Sequence, residues 1–267
     1  MMIKTAILVF CLGVMFCPQA FAQLFLEQGK LNLDVDPGER YSGSLIIHNN
    51  STSEVSLKIY WEDFKYKAPY DGSKDFMPAG TLPGSARDWV VFSPQTFTIP
   101  PNSQQSVDYT VIVPSQIQEG HYGVLFFETS NPSAEAKEAV NIVERIGTLF
   151  FIEPKTKNKQ ALLQNPAIKG GSVVMDYVNQ GNIIEIPHTT YYIMQDSGEV
   201  ALRGEAKKLY VPPGASASLE IPVKKKLAAG HYTLMVNSDL EQGDVAVKEA
   251  ALTVDDSGQM TVENTNN

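Results

Sequence analysis

The chain has 267 residues, 43% of them hydrophobic and 19% charged, the composition of an ordinary globular protein rather than of a disordered, collagenous or coiled-coil chain. Its 21 Lys and Arg against 30 Asp and Glu give a net charge of −9, which argues against nucleic-acid partners, because such binding rests on cations at phosphates. Two cysteines and four histidines, spread along the chain, do not make a zinc site of the usual kinds, and no cofactor is indicated.

Residues 1–22 have the three parts of a secretory signal: Lys4 near the start, an apolar run from Ala6 to Phe16, and Ala20-Phe21-Ala22 before a cut at Gln23. The alternative is an uncleaved anchor helix, but the run is short for a membrane span. Phe10 and Phe16 precede Cys11 and Cys17, so neither cysteine has the small neighbours that lipidation needs. Cleavage removes both cysteines, and an exported chain without disulfides depends on buried apolar area. No later segment reads as a membrane helix.

Beyond the signal the chain reads as all-β. Val55–Trp61, Ser106–Val113 and Ser216–Ile221 alternate apolar and polar residues with the period of two of half-buried strands. Clusters of Pro, Gly, Asn and Asp interrupt them at the spacing of a sandwich, and Asp196-Ser197-Gly198 marks a hairpin. A series of marks occurs twice in the same order. Gly43-Ser44 to Asn49-Asn50, then Ile99-Pro100-Pro101-Asn102, then Gly120-His121-Tyr122, matches Gly171-Ser172 to Asn179–Asn182, Val211-Pro212-Pro213-Gly214 and Gly230-His231-Tyr232. This predicts two tandem immunoglobulin-like β-sandwiches, residues 23–154 and 161–256, with a polar, Lys-rich linker at 155–160 and a flexible tail at 257–267. Tyr122 and Tyr232 are each expected to form a tyrosine corner at the start of a penultimate strand. His121 and His231 read as loop histidines rather than metal ligands. Ala134–Ala139, the best helix former, reads as a loop or short helix.

Residues 60–76 are rich in aromatics, and Trp61, Phe64, Tyr66 and Tyr70 define a candidate aromatic loop. Exposed, it suits sugar stacking or peptide binding; folded back, it packs on its own domain. Asp71–Asp75 faintly resembles a calcium loop but lacks the later glutamate. No phosphate loop, nucleophile elbow or mature thiol supports an enzyme.

Leu31–Val35, Gly43–Asn49, Trp89–Pro94 with Phe97, Ile99–Pro101, Val111–Pro114, Gly120–Tyr122 and Arg145–Pro154 form an ordered series that covers most of residues 31–154. It resembles the N-terminal domain of PapD-like periplasmic pilus-assembly chaperones; the second domain resembles bacterial immunoglobulin-like modules more generally. The resemblance implies a periplasmic chaperone that lends an edge strand to a secreted or pilus subunit by β-augmentation, works with an usher-like outer-membrane protein, and anchors the subunit's C-terminal carboxylate on a basic pair. It makes the last strand of the first domain, with Val140, Ile142 and Ile146 in one phase, the candidate donor; the alternative is a strand whose apolar side faces its own core. The family's arginine in the first strand and lysine before a Leu-Phe-Tyr-like run are not matched by position. Lys30 is the sole cation between Gln23 and Val35, Gly147-Thr148 precede Leu149-Phe150-Phe151, and Arg145 lies upstream, so Lys30 and Arg145 are the candidate anchor. A second resemblance, to Gram-positive surface proteins of the WxL-interacting type, lacks their terminal membrane helix and basic tail, because the chain ends in polar Thr261–Asn267. A surface-binding or adhesion module for polysaccharide or protein is the other functional class.

Overall fold

The computed structural model describes residues 24–130, 143–241 and 245–263; the signal at 1–22, the segment 134–139, and Val140 and Ile142 of the candidate donor lie outside them. In chain order the first half forms β1 (Leu24–Leu26), β2 (Lys30–Val35), β3 (Arg40–Asn49), β4 (Val55–Tyr66), β5 (Lys74–Pro78), β6 (Val90–Ser93), β7 (Thr96–Ile99), β8 (Ser103–Ile112), β9 (His121–Thr129) and β10 (Arg145–Pro154). The second half forms β11 (Ala161–Lys169), β12 (Ser172–Asn179), β13 (His188–Gln195), β14 (Val200–Glu205), β15 (Ser216–Pro222), β16 (Gly230–Asp239), β17 (Val245–Val254) and β18 (Met260–Glu263). No helix among the described residues is long and apolar enough to cross a membrane.

The chain is all-β, with two immunoglobulin-like sandwiches in tandem. In the first, a sheet ordered β1-β3-β8-β6 faces one ordered β2-β10-β9-β4-β5, with β7 also on β4. The alternation of β8 does what its period requires: Val107, Tyr109 and Val111 are buried, while Ser106, Asp108 and Ile112 face out. They meet Leu57, Ile59, Leu125, Phe127, Phe150 and Ile152 of the other sheet in one core. In the second sandwich β11-β12-β15 faces β14-β13-β16-β17-β18, and Ala217, Leu219 and Ile221 of β15 go inward. Residues 260–263, expected in a flexible tail, pair with β17 as β18, Val262 packing on the second core. The Asp196–Gly198 hairpin is present, closed by Gly198 N donating to Gln195 O at 2.8 Å.

The duplicated marks have a common physical cause. Asn49 is fully buried, and its Nδ2 donates to Ser53 O (2.8 Å), Ile99 O (3.0 Å) and Pro100 O (3.1 Å). Its counterpart Asn179, equally buried, donates to Ile183 O and Val211 O, both at 2.8 Å. In each sandwich an asparagine satisfies the carbonyls of a Pro-Pro turn, and the turn closes in the left-handed region at Asn102 (φ 50°) or Gly214 (φ 71°).

The tyrosines have diverged. Tyr232 donates to Ala228 O at 2.9 Å, four residues back, as a tyrosine corner does. Tyr122 does not: its hydroxyl accepts from Ile184 N of the second sandwich at 2.9 Å and faces Glu153 Oε1 at 3.4 Å. The turn before β9 is engaged across the junction, with Gly120 N donating to Asn182 O and Asn182 Nδ2 donating to Gln118 O.

The aromatic stretch is likewise not a loop. Residues 60–66 are the second half of β4, and β5 returns antiparallel, Tyr66 opposite Lys74. Trp61 lies in the first core. Phe64 and Tyr66 join Tyr122, Phe151 and Ile184 in a third apolar cluster between the sandwiches, with Tyr70 and Tyr210 against it. Tyr66 stacks on Tyr210 at 4.9 Å, and Tyr210 N donates to Tyr70 O. These rings seal the junction; they do not offer a sugar-stacking surface.

Candidate edge-strand and cleft site

β10 is hydrogen-bonded unequally on its two sides. On one, it pairs antiparallel with β9 from Arg145 to Ile152. On the other, β2 runs parallel to it but covers only Leu149 to Pro154. Leu149 N donates to Gly29 O at 3.0 Å, while Glu144 O accepts from Thr129 N on the β9 side. Main-chain groups alternate along a strand, so Arg145 and Gly147 aim their N–H and C=O to the side that β2 leaves empty. Among the described residues they meet no strand there. Thr148 Oγ1, donating to Gln28 O at 2.5 Å, closes the corner where the cover begins. Val143, 53% exposed, is the apolar side chain at the start of this edge.

Ile146 points the other way from the expected donor face. It shares a face with Phe150 and Ile152 and packs against the first core, so it serves its own sandwich. The opposite face carries Arg145, Gly147, Leu149, Phe151 and Glu153 down toward the second sandwich. Gly147 fits there because Val124 and Phe126 of β9 lie across it: a Cβ would come within 2.8 Å of each. A lysine at the position the resemblance suggests would displace both.

The candidate anchor cations are not brought together. Lys30 sits opposite Leu149, four residues along β10 from Arg145, about 13 Å at the rise of a strand. The Arg145 guanidinium lies 4.0 Å over the Phe126 ring and bonds Glu62 Oε1 (3.2 Å) and Tyr60 Oη (3.3 Å). It caps the outer face of the first sandwich and is already paired. Lys30 stands instead at the rim of a cleft between the sandwiches, a cavity of about 450 Å³ that Phe151, Glu153, Lys157, Ile184 and Glu185 also line. Its Nζ lies 3.8 Å from the Phe151 ring centroid. No carboxylate among the described residues is within ion-pair distance of it. Loss of water around the ammonium lowers its pKa; Glu153 opposes the shift from a distance, and Lys74 and Lys208 add to it.

Two features of this site were not legible in the sequence. Lys74 and Lys208, remote in the chain, extend the positive field at Lys30. Lys157, one of several linker lysines, bridges Asp34 Oδ1 (2.7 Å) and Glu153 Oε2 (2.9 Å). Its neighbour Lys159 donates to Leu240 O at 2.5 Å, so the linker is fixed at both lysines. His121 is tied locally, its Nδ1 at 3.1 Å from Ser85 O and its ring against Trp89. His231 Nδ1 lies 3.2 Å from Thr253 Oγ1.

No family model matches the sequence, and no curated protein is similar to it. Solved structures do match. The crystal structure of the class 5 fimbriae chaperone CfaA aligns with a TM-score of 0.54 and 14% identity over 85% of this chain and 98% of its own. A chain from the chaperone–tip adhesin complex of CFA/I fimbriae biogenesis aligns with a TM-score of 0.53, again at 14% identity and with the same coverage. At that identity the likeness establishes architecture: the chain shares with that chaperone a fold of two immunoglobulin-like sandwiches, here set around a cleft.

Proposed function

We propose that the chain is a periplasmic assembly chaperone of the PapD type, which receives an extended segment of a secreted or pilus subunit along the open edge of β10. The carrying observation is that this edge ends beside an accessible ammonium with no carboxylate partner among the described residues. Strand addition draws affinity from main-chain bonds, and Arg145 and Gly147 aim theirs at the gap. A segment added there lies in line with β2, which is parallel to β10. Running in the same direction, it brings its C-terminus to Lys30, whose charge then meets a terminal carboxylate. Running in reverse, it brings an ammonium to an ammonium. The geometry therefore favours a parallel segment that ends at the cleft. The fold shared with a fimbrial chaperone and the signal-like residues 1–22 support the reading. It requires no cofactor and no bond-breaking step.

The test uses the exported protein and an extended peptide of alternating valine and threonine, made with a free C-terminus and as the C-terminal amide. The free acid is expected to shift the amide resonances of Arg145 and Gly147 and to bind about 10-fold or more tighter than the amide, as one charge-assisted bond allows. Lys30→Gln abolishes that preference. Binding indifferent to the terminus and to Lys30, or binding that leaves both amides unmoved, overturns the proposal.

A further inference from the structure

The unpaired state of Lys30 needs explaining, because a built-in carboxylate stands close by. On the face turned to the cleft, β2 presents Lys30, Asn32 and Asp34, level with Leu149, Phe151 and Glu153 of β10. The Lys30 ammonium leans over Phe151, and the next side chain on that face of β10 is Glu153. Glu153 and Lys30 line the same cavity; the two residues are four strand positions apart, but the extended Lys30 side chain already carries its ammonium two of them, to Phe151, which leaves the Glu153 carboxylate within reach. Yet Glu153 is occupied. Its Oε2 takes Lys157 at 2.9 Å and its Oε1 faces the Tyr122 hydroxyl at 3.4 Å. The same Lys157 ammonium takes Asp34, the other acid on this face, at 2.7 Å. Burial works against the Lys157 ammonium, but its bonds to Asp34 and Glu153 outweigh that and raise its pKa, so it stays charged and attached.

We infer that Lys157 is a positioning residue for the anchor: by holding Glu153 and Asp34 it denies Lys30 an intramolecular carboxylate and leaves the Lys30 ammonium open to the terminal carboxylate of an incoming segment. The inference rests on the anchor role proposed for Lys30, but its first consequence is read in the free protein. A bridge already made on one side of the cleft keeps the opposite cation without a partner, which is the state in which an added carboxylate gains most.

The experiment compares the exported wild-type protein with Lys157→Met, Lys157→Arg and the double variant Lys157→Met with Glu153→Gln. Crystal structures and an NMR titration of the Lys30 side chain are the first readouts. Around Lys30 the groups to follow are Glu153, Lys74, Lys208 and Glu241. In Lys157→Met, the Lys30 ammonium is expected within 4 Å of the freed Glu153 carboxylate, with its pKa raised by about one unit, the lower end of what a close opposite charge does. Lys157→Arg keeps both bonds and leaves Lys30 unmoved. The double variant returns Lys30 to its unpaired position. The second readout is the preference for the free-acid valine–threonine peptide over its amide: lost in Lys157→Met, kept in Lys157→Arg and regained in the double variant. A folded Lys157→Met protein in which Glu153 stays away from Lys30 overturns the inference, and so does a Lys30 shift that persists in the double variant. If the wild-type protein does not distinguish the two peptides, the chaperone reading falls, while the position of Lys30 still decides the role of Lys157.

Discussion

Tyr122→Phe and Tyr232→Phe remove the same atom from equivalent places in the repeat, and the structure predicts unequal costs. The Tyr122 hydroxyl accepts from Ile184 N at 2.9 Å, and both residues are 8% exposed. Removing it leaves a main-chain N–H with no acceptor in an apolar junction lined by Phe64, Phe151 and Tyr66. An unsatisfied buried donor costs about 1–3 kcal/mol. Taking the middle, about 2 kcal/mol corresponds to an approximately 30-fold loss of protection at the Ile184 amide. The Tyr232 hydroxyl instead donates to Ala228 O, a carbonyl on an exposed turn that water reaches once the donor is gone. Its loss costs about 0.5–1 kcal/mol, the net worth of an ordinary hydrogen bond. Hydrogen exchange at Ile184, together with urea denaturation of both variants, measures the difference. Unchanged exchange at Ile184 in Tyr122→Phe, or a Tyr232→Phe protein destabilised as much, refutes the assignment of Tyr122 to the junction.

The buried asparagines make a second pair. Asn49→Ala strands three carbonyls and Asn179→Ala two, so each should cost about 2–4 kcal/mol in urea denaturation, with Asn49 the larger; a cost under about 1 kcal/mol for either contradicts the staple role. Glu185 gives a pH signature. Burial is the main cause of its raised pKa, against the Tyr177 hydroxyl at 2.6 Å and the Gln160 amide at 2.9 Å. A raised folded pKa means the proton is held more tightly in the native state. Its stabilising effect is therefore full below the ordinary value of 4.5 and is lost as pH rises through the folded value. Glu185→Gln should flatten the decline of Tm across that rise, and an unaltered profile would count against the desolvated carboxylate.

What was legible in the sequence was turn chemistry. The Asn, Pro-Pro and Gly marks recur because each sandwich solves the same problem of unsatisfied turn carbonyls, and a local solution leaves a local pattern. The aromatic stretch was misread as a loop because its alternation is interrupted by Glu62-Asp63. Asp63 is fully buried inside a strand, held by the amides of Thr81 and Leu82, the Ser85 hydroxyl and the Trp61 indole. A charged residue reads as exposed until the loop that satisfies it is known, and that loop lies some twenty residues away. The cleft was hidden for the same reason. The pairing of Lys157 with Asp34, and the bond of Tyr122 to Ile184, join segments remote in the chain that only the fold brings together. The assignment of Ile146 to a donor face turns on a simpler point. A period of two says which residues share a face but not which face is inside, and for Ile146 the core lies on its side.

The position of Phe151 ties the junction to the cleft. One edge of its ring packs against Phe64 at 5.8 Å and Tyr122 at 5.2 Å, inside the cluster that joins the sandwiches. Its face carries the Lys30 ammonium. The surface that orients the proposed anchor is thus part of the seal between domains, and a change that loosens the seal also moves the anchor. This accounts for the concentration of bulky aromatics in one half of β4. A sandwich needs only its inward face for a core, and Trp61 supplies that. Phe64 and Tyr66 serve the junction instead, and by fixing Phe151 they hold the end of the open β10 edge and Lys30 in one frame. An extended segment that bonds the edge and reaches the ammonium must match both at once. The fixed spacing of the two within one sheet, rather than the strength of either contact alone, is then what selects its length.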